Sequence, residues 1–125
     1  MILPSTLGNQ GSNVLHFWDP KTLTELRRVS VHAADGRPVA KLNELEWIAD
    51  EGLVLANVWY EKFVVAIDPV TGTVRRRDDF SKLLLPAETT GREDCLNGIA
   101  LDPSSGDLII TGKWYQKLYR VRRER

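Results

Sequence analysis

The sequence is poor in the residues that build cross-links and metal centres. A single cysteine, Cys95, excludes an intrachain disulfide and any cage of thiolates. Only two histidines are present, His16 and His32, far apart in the chain, so no metal site is expected. Charge of one sign is not in excess either. The 17 basic and 17 acidic residues cancel, whereas a protein gripping nucleic-acid phosphates should carry a clear basic surplus. Long hydrophobic runs are missing: stretches such as 63–67 end after a handful of residues, so nothing is expected to span a bilayer. Residues Met1 to Ser5 offer neither a basic start nor a long apolar run, so no signal peptide is expected. Helical periodicity is scarce as well. The one candidate is Lys82 to Leu85, capped by Ser81 and ended by Pro86, and it is about one turn long.

What is present is a 125-residue chain with 42% hydrophobic residues, enough for one packed domain. The apolar residues fall in short strands: 14–18, 26–31, 42–48, 53–59, 63–67, 73–80, 97–101, 108–112 and 117–121. Turn residues separate them. Asp19-Pro20-Lys21-Thr22 and Asp68-Pro69-Val70-Thr71-Gly72 are two versions of one turn, and Asp102-Pro103-Ser104-Ser105-Gly106 is a third. In each, proline presets φ and the aspartate can accept bonds from the backbone ahead of it.

The strands repeat. A shift of 54 positions lays Leu42-Asn43 on Leu96-Asn97, Leu45 on Ile99, Gly52 on Gly106, Leu55 on Ile109, Trp59 on Lys113 and Ile67 on Val121. A shift of 49 lays Leu15–Pro20 on Val64–Pro69. Repeats of this period, with three or four strands each, imply propeller blades. A β-sandwich with evenly spaced strands is the alternative, but it has no reason to repeat in register. The fold class is therefore all-β, a β-propeller fragment of about two and a half blades. Residues 1–41 end one blade, 42–95 make a complete blade plus connector, and 96–125 form an incomplete last blade. Closed propellers need about four to eight blades.

Topology then gathers polar side chains. The first strand of a blade begins where the antiparallel second strand ends. Asn43, Glu44 and Asn97 start first strands, while Asn57, Trp59, Lys113 and Trp114 end second strands. Amides, an ammonium and indoles at one mouth suit a small polar ligand with an apolar stem. The competing reading is structural: asparagine ties down turns and tryptophan packs between blades.

These same residues carry a family likeness. Leu42-Asn43-Glu44-Leu45-Glu46, Ala56-Asn57-Val58-Trp59, Ile67-Asp68-Pro69-Val70-Thr71-Gly72, Leu96-Asn97-Gly98-Ile99-Ala100 and Thr111-Gly112-Lys113-Trp114 occur in this order. The set resembles the plant and bacterial glutaminyl cyclases, or glutamine cyclotransferases. Phe17-Trp18-Asp19-Pro20 and the residues from Val39 to Leu42 fit too. The resemblance implies a five-bladed propeller, of which this chain matches the C-terminal portion. It implies an enzyme that converts the N-terminal glutamine of a peptide or protein to pyroglutamate and releases ammonia, without metal or cofactor. Asn43 would bond the substrate amide, Lys113 would supply a fixed positive charge or donor, and Trp59 would wall the pocket. Glu44 and Asn97 would support that pocket, and Trp114, from the mouth assembled above, is counted with them as substrate-binding. The family's catalytic glutamate belongs to N-terminal blades, so neither Glu44 nor Glu46 is given its role, and the chain alone is expected to be inactive. The family is secretory or extracytoplasmic, which leaves the compartment of this chain open, as is its oligomeric state. The rival readings are a non-catalytic propeller used as a binding platform and a truncated gene product.

Other features carry bland expectations. Arg75-Arg76-Arg77 followed by Asp78-Asp79 reads as an outer strand with locally neutralised charge. The basic stretch from Lys113 reads as a solvated, frayed terminus rather than a nucleic-acid or membrane contact. Cys95 reads as a plain loop thiol and His16 as a packed histidine.

Overall fold

The computed structural model describes residues 2–4, 13–83, 91 and 96–124. Ten strands form three antiparallel sheets, and no helix occurs among the described residues. The first sheet contains β1 (Ile2–Pro4), β2 (Val14–Trp18) and β3 (Glu25–Ser30). The second contains β4 (Leu42–Ile48), β5 (Leu53–Val58), β6 (Phe63–Ile67) and β7 (Val74–Asp79). The third contains β8 (Leu96–Leu101), β9 (Leu108–Gly112) and β10 (Tyr119–Val121). Within each sheet the strands lie in chain order, each paired with the next. This is the meander of a propeller blade, repeated as an open array.

The second sheet is packed on both faces, which explains its near-continuous apolar strands. Side chains alternate across a strand. Val54, Ala56 and Val58 of β5, with Val65 and Ile67 of β6, join Leu15 and Val31 in one core against the first sheet. Leu55 of β5, with Val64 and Ala66 of β6, joins Leu96, Ile99, Leu108 and Ile110 in a second core against the third sheet. Each fully buried valine, leucine or isoleucine among them stabilises the fold by about 1.5–3 kcal/mol relative to exposure.

The 54-residue repeat holds in the ladders themselves. Leu42 pairs with Val58 and Leu45 with Ala56; 54 residues on, Leu96 pairs with Gly112 and Ile99 with Ile110. Both ladders carry a one-residue bulge at the same place. Gly52 and Gly106 both have positive φ, 66° and 78°, and so do Tyr60 and Trp114, 66° and 64°. The three Asp-Pro turns also share one bonding pattern. Leu23, Gly72 and Gly106 donate their N–H groups to the carbonyls of Asp19, Asp68 and Asp102, respectively. The Asp19 and Asp68 carboxylates each accept two further backbone N–H groups, from Lys21 and Thr22 and from Val70 and Thr71.

The outer strands behave as charged, locally neutralised edges. Arg75 pairs with Asp68, Arg76 with Asp78 and Glu51, and Arg77 lies over the Phe63 ring at 4.1 Å. His16 is half-buried and bonded to Glu25, which Arg28 also binds. The C-terminal segment, however, is docked where a frayed end was expected. The Arg123 side chain is 7% exposed and pairs with Asp50 at 3.1 Å and Glu51 at 2.9 Å. Its Nε donates to the Gly106 carbonyl. Arg120 binds Asp102 and Asp107. Basic residues read from composition alone give no hint of acidic partners some 70 positions upstream.

Of the short helix expected at 82–85, Lys82 and Leu83 lie in a turn closed by the Leu83 N–H on the Phe80 carbonyl rather than in a helix, while 84–85 and Cys95 lie outside the described residues. Of its start, Ser81 donates its N–H to the Asp79 carboxylate, so Asp79 accepts the bond at this turn.

Candidate functional site

The candidate site is built on the two bulges. In a regular strand Leu42 and Leu45 would point to opposite faces. The extra residue between them lets both pack against the first-sheet core, with Asn43 and Glu44 in the intervening bulge. The same device puts Leu96 and Ile99 together in the second core, with Asn97 and Gly98 between them. A bulge re-aims the side chains it contains and recurs where a strand leaves its ladder for a site. The pattern Leu-Asn-x-Leu/Ile is thus the sequence trace of a bulge, with an asparagine in each.

Strand direction sets the rest. The Leu42↔Val58 and Leu96↔Gly112 pairs close the same end of the second and third sheets. Trp59 follows β5 and donates its N–H to the Lys41 carbonyl at 2.8 Å. Lys113 and Trp114 follow β9 at the corresponding points. One bond joins the two ends: the Gly98 N–H donates to Asn57 Oδ1 at 3.2 Å, across the sheets.

The candidate residues differ in exposure. Asn43, Trp59 and Asn97 are half-buried, whereas Glu44 and Lys113 are exposed. Trp114 is 76% exposed and stands in solvent. Trp59 stacks on Tyr60, with ring centroids 4.8 Å apart. Its Nε1 is buried without a partner among the described residues, as is Asn97 Oδ1. Asn57 is the buried polar residue of the described core, 0% exposed, and its Nδ2 has no partner there either. Three polar atoms at this end thus lack, among the described residues, the partner that buried polar groups usually have. Among the described residues no cluster of histidine, cysteine or carboxylate side chains could hold a metal ion.

The comparisons with known proteins converge on one family. The family model described as glutamine cyclotransferase matches residues 5–123. The chain belongs to the glutamine cyclotransferase family. A glutaminyl-peptide cyclotransferase of Arabidopsis thaliana is 37% identical over 117 residues, which make up 92% of this chain and 36% of that protein. The crystal structure of the Myxococcus xanthus glutaminyl cyclase superposes with a TM-score of 0.78 at 38% identity, covering 90% of this chain and 50% of that one. This cyclotransferase-family chain therefore spans about a third of the curated relative and half of the solved structure.

Sequence reasoning named Asn57 as a mouth residue and did not single it out as a site residue. The signal that separates it from its neighbours is its polarity inside Leu53–Val58, a strand otherwise apolar throughout. Lone polar residues in such strands are held by a specific bond, in this chain to the neighbouring sheet.

Proposed function

We propose that the chain supplies one side of a glutaminyl-peptide cyclotransferase site, with a peptide or protein bearing N-terminal glutamine as substrate. In that reaction the substrate's α-amine attacks its own γ-carbonyl carbon. The new C–N bond closes the pyroglutamate ring, the old amide C–N bond breaks, and ammonia leaves with the proton given up by the amine. Nucleophile and electrophile share one residue, so the enzyme's main task is to hold the reactive rotamer. Orientation of this kind can supply about 7–11 kcal/mol of the barrier.

Asn43 hydrogen-bonds the substrate amide and fixes its plane. Lys113 offers a cationic donor to the oxygen that becomes negative as the ring closes. Trp59 forms the apolar wall against which the glutamine methylenes pack, and Trp114 extends that wall. Glu44 and Asn97 hold the surrounding polar groups. Proton transfer from the amine to the departing ammonia needs a general acid–base, which this reading assigns to the other side of the site, and its loss typically costs about 10²–10⁴-fold in rate. The isolated chain therefore binds without turning substrate over.

The observation that best supports this reading is the 37% identity to a glutaminyl-peptide cyclotransferase over 92% of the chain. The test is ammonia release from a peptide with N-terminal glutamine, run beside Lys113→Ala. No release above the uncatalysed rate is expected from the isolated chain. Robust release that Lys113→Ala abolishes would place the proton-transferring group within these 125 residues and overturn that division of labour.

A further inference from the structure

We propose that Asn57 is the positioning residue of the mouth and that its free amide hydrogens are kept for the carbonyl oxygen of a bound carboxamide. The inference deepens the proposed function and rests on it for the identity of that carboxamide.

Three observations carry it. Asn57 is fully buried, on the face of β5 that also presents Leu55 to the third sheet. Its Oδ1 accepts the Gly98 N–H, and this bond fixes which amide atom is which: oxygen toward Gly98, nitrogen away from it. Its Nδ2 then has no partner among the described residues. A buried, unbonded NH2 group is costly, and a strand that could hold an aliphatic residue at this position instead keeps an amide.

Gly98 makes the bond specific. It sits in the β8 bulge at φ 126°, a conformation closed to side-chain-bearing residues, and a Cβ there would lie 3.0 Å from Thr111 Cγ2. The bulge therefore has one shape, and Asn57 pins it to the end of the neighbouring sheet. Asn97, the preceding residue, has its own Oδ1 buried and unbonded. Asn57 thus holds an unbonded donor, and Asn97, next to Gly98 in the chain, an unbonded acceptor. A ligand that accepts at one atom and donates at the next satisfies both, and a primary carboxamide is such a group. The side chain of an N-terminal glutamine carries one.

The experiment uses the full chain, labelled with ¹⁵N, together with Asn57→Leu and Asn57→Asp. Leucine removes both functions, while aspartate keeps the acceptor for Gly98 and removes the NH2 donor. Amide exchange at Gly98 is read first, without ligand. Protection is expected in the parent chain and in Asn57→Asp, and a loss of tenfold or more in Asn57→Leu. Glutaminyl-glycine is then titrated, with glutamyl-glycine as control. The Asn57 side-chain NH2 signals of the parent chain are expected to shift with the first dipeptide and not the second, and the affinity to fall about tenfold in Asn57→Asp, as for one lost buried hydrogen bond. Gly98 exchange unchanged by Asn57→Leu would overturn the clasp, whatever the substrate. Shifts at Asn43 and Lys113 without any at Asn57 would overturn the donor role and leave the proposed function standing. No shift at any mouth residue would overturn the substrate site itself and the donor role with it.

Discussion

Leu23 and Gly72 occupy the same point of the same turn, with φ 57° and 78°, yet only one of them is a glycine. Each donates its N–H to the carbonyl of the turn aspartate four residues back, at 2.8 Å. A left-handed conformation costs a residue with a side chain about 1–2 kcal/mol. Leu23 is 63% exposed, so little packing offsets that cost. Glycine gives back about 0.5–1 kcal/mol through the entropy of the unfolded chain. Leu23→Gly should therefore stabilise the protein by about 0.5–1 kcal/mol, read as a higher urea midpoint at unchanged slope.

The opposite change at Gly72 should be severe. A Cβ there would collide with the Ser30 carbonyl oxygen and lie 2.7 Å from Val29 Cγ1. The approach is close because Gly72 also accepts the His32 N–H, which ties the outer ends of the first and second sheets. Gly72→Ala combines a left-handed penalty with a clash against backbone that cannot rotate aside. A loss of about 3 kcal/mol or more is expected from the two effects, measured by urea unfolding.

The docked C-terminal segment makes a third test. The Arg123 side chain is 7% exposed between Asp50 and Glu51, so its removal takes one cation away from two carboxylates in a partly desolvated site, where Glu51 keeps Arg76. Breaking a buried pair costs about 3–5 kcal/mol, and the solvent reaching Asp50 lowers that. Arg123→Met should lose about 2 kcal/mol. Arg37→Ala, which breaks an ion pair standing open to solvent, should leave thermal stability unchanged within error.

Much of the fold was legible because the strands obey simple periodicity. The spans 14–18, 42–48, 63–67 and 108–112 coincide with observed strands. Two things were hidden. Ile2–Pro4 forms a strand against β2, but three residues ending in proline show no alternation. The bulges at Asn43–Glu44 and Asn97–Gly98 also escape a period-2 reading, since only the partner strand shows that a residue is extra. The mouth could be assembled from strand direction and family likeness. Asn57 could not be ranked within it, because burial and the bond to Gly98 are long-range properties.

Acid should unfold the protein through its turn carboxylates. Asp68 is held below the usual carboxylate range by Arg75 and by the N–H groups of Val70 and Thr71. The hydroxyl and N–H of Ser104, the Ser105 hydroxyl and Arg120 hold Asp102 still lower. Glu25 is lowered by Arg28 and His16. Each group is ionised to a lower pH when folded than when unfolded, so the folded chain binds fewer protons below about pH 4. The stability they contribute is complete above the unfolded carboxylate values and is lost as pH falls through the folded ones. The melting temperature should drop through that window, and Asp102→Asn should flatten the drop while lowering stability at about pH 7. A melting temperature independent of pH between about 5 and 2 would contradict the turn carboxylates' role.

The central claim is that this chain carries the Asn43, Trp59 and Lys113 side of a glutaminyl cyclase site. The most direct measurement joins the chain to the half of the Myxococcus xanthus glutaminyl cyclase that it does not match and follows ammonia release from a peptide with N-terminal glutamine. Turnover is predicted for the joined protein, a fall of about 10²-fold or more on Lys113→Ala as for a lost oxyanion donor, and none for the chain alone. Turnover in the joined protein that survives Lys113→Ala and Asn43→Ala together would contradict the claim.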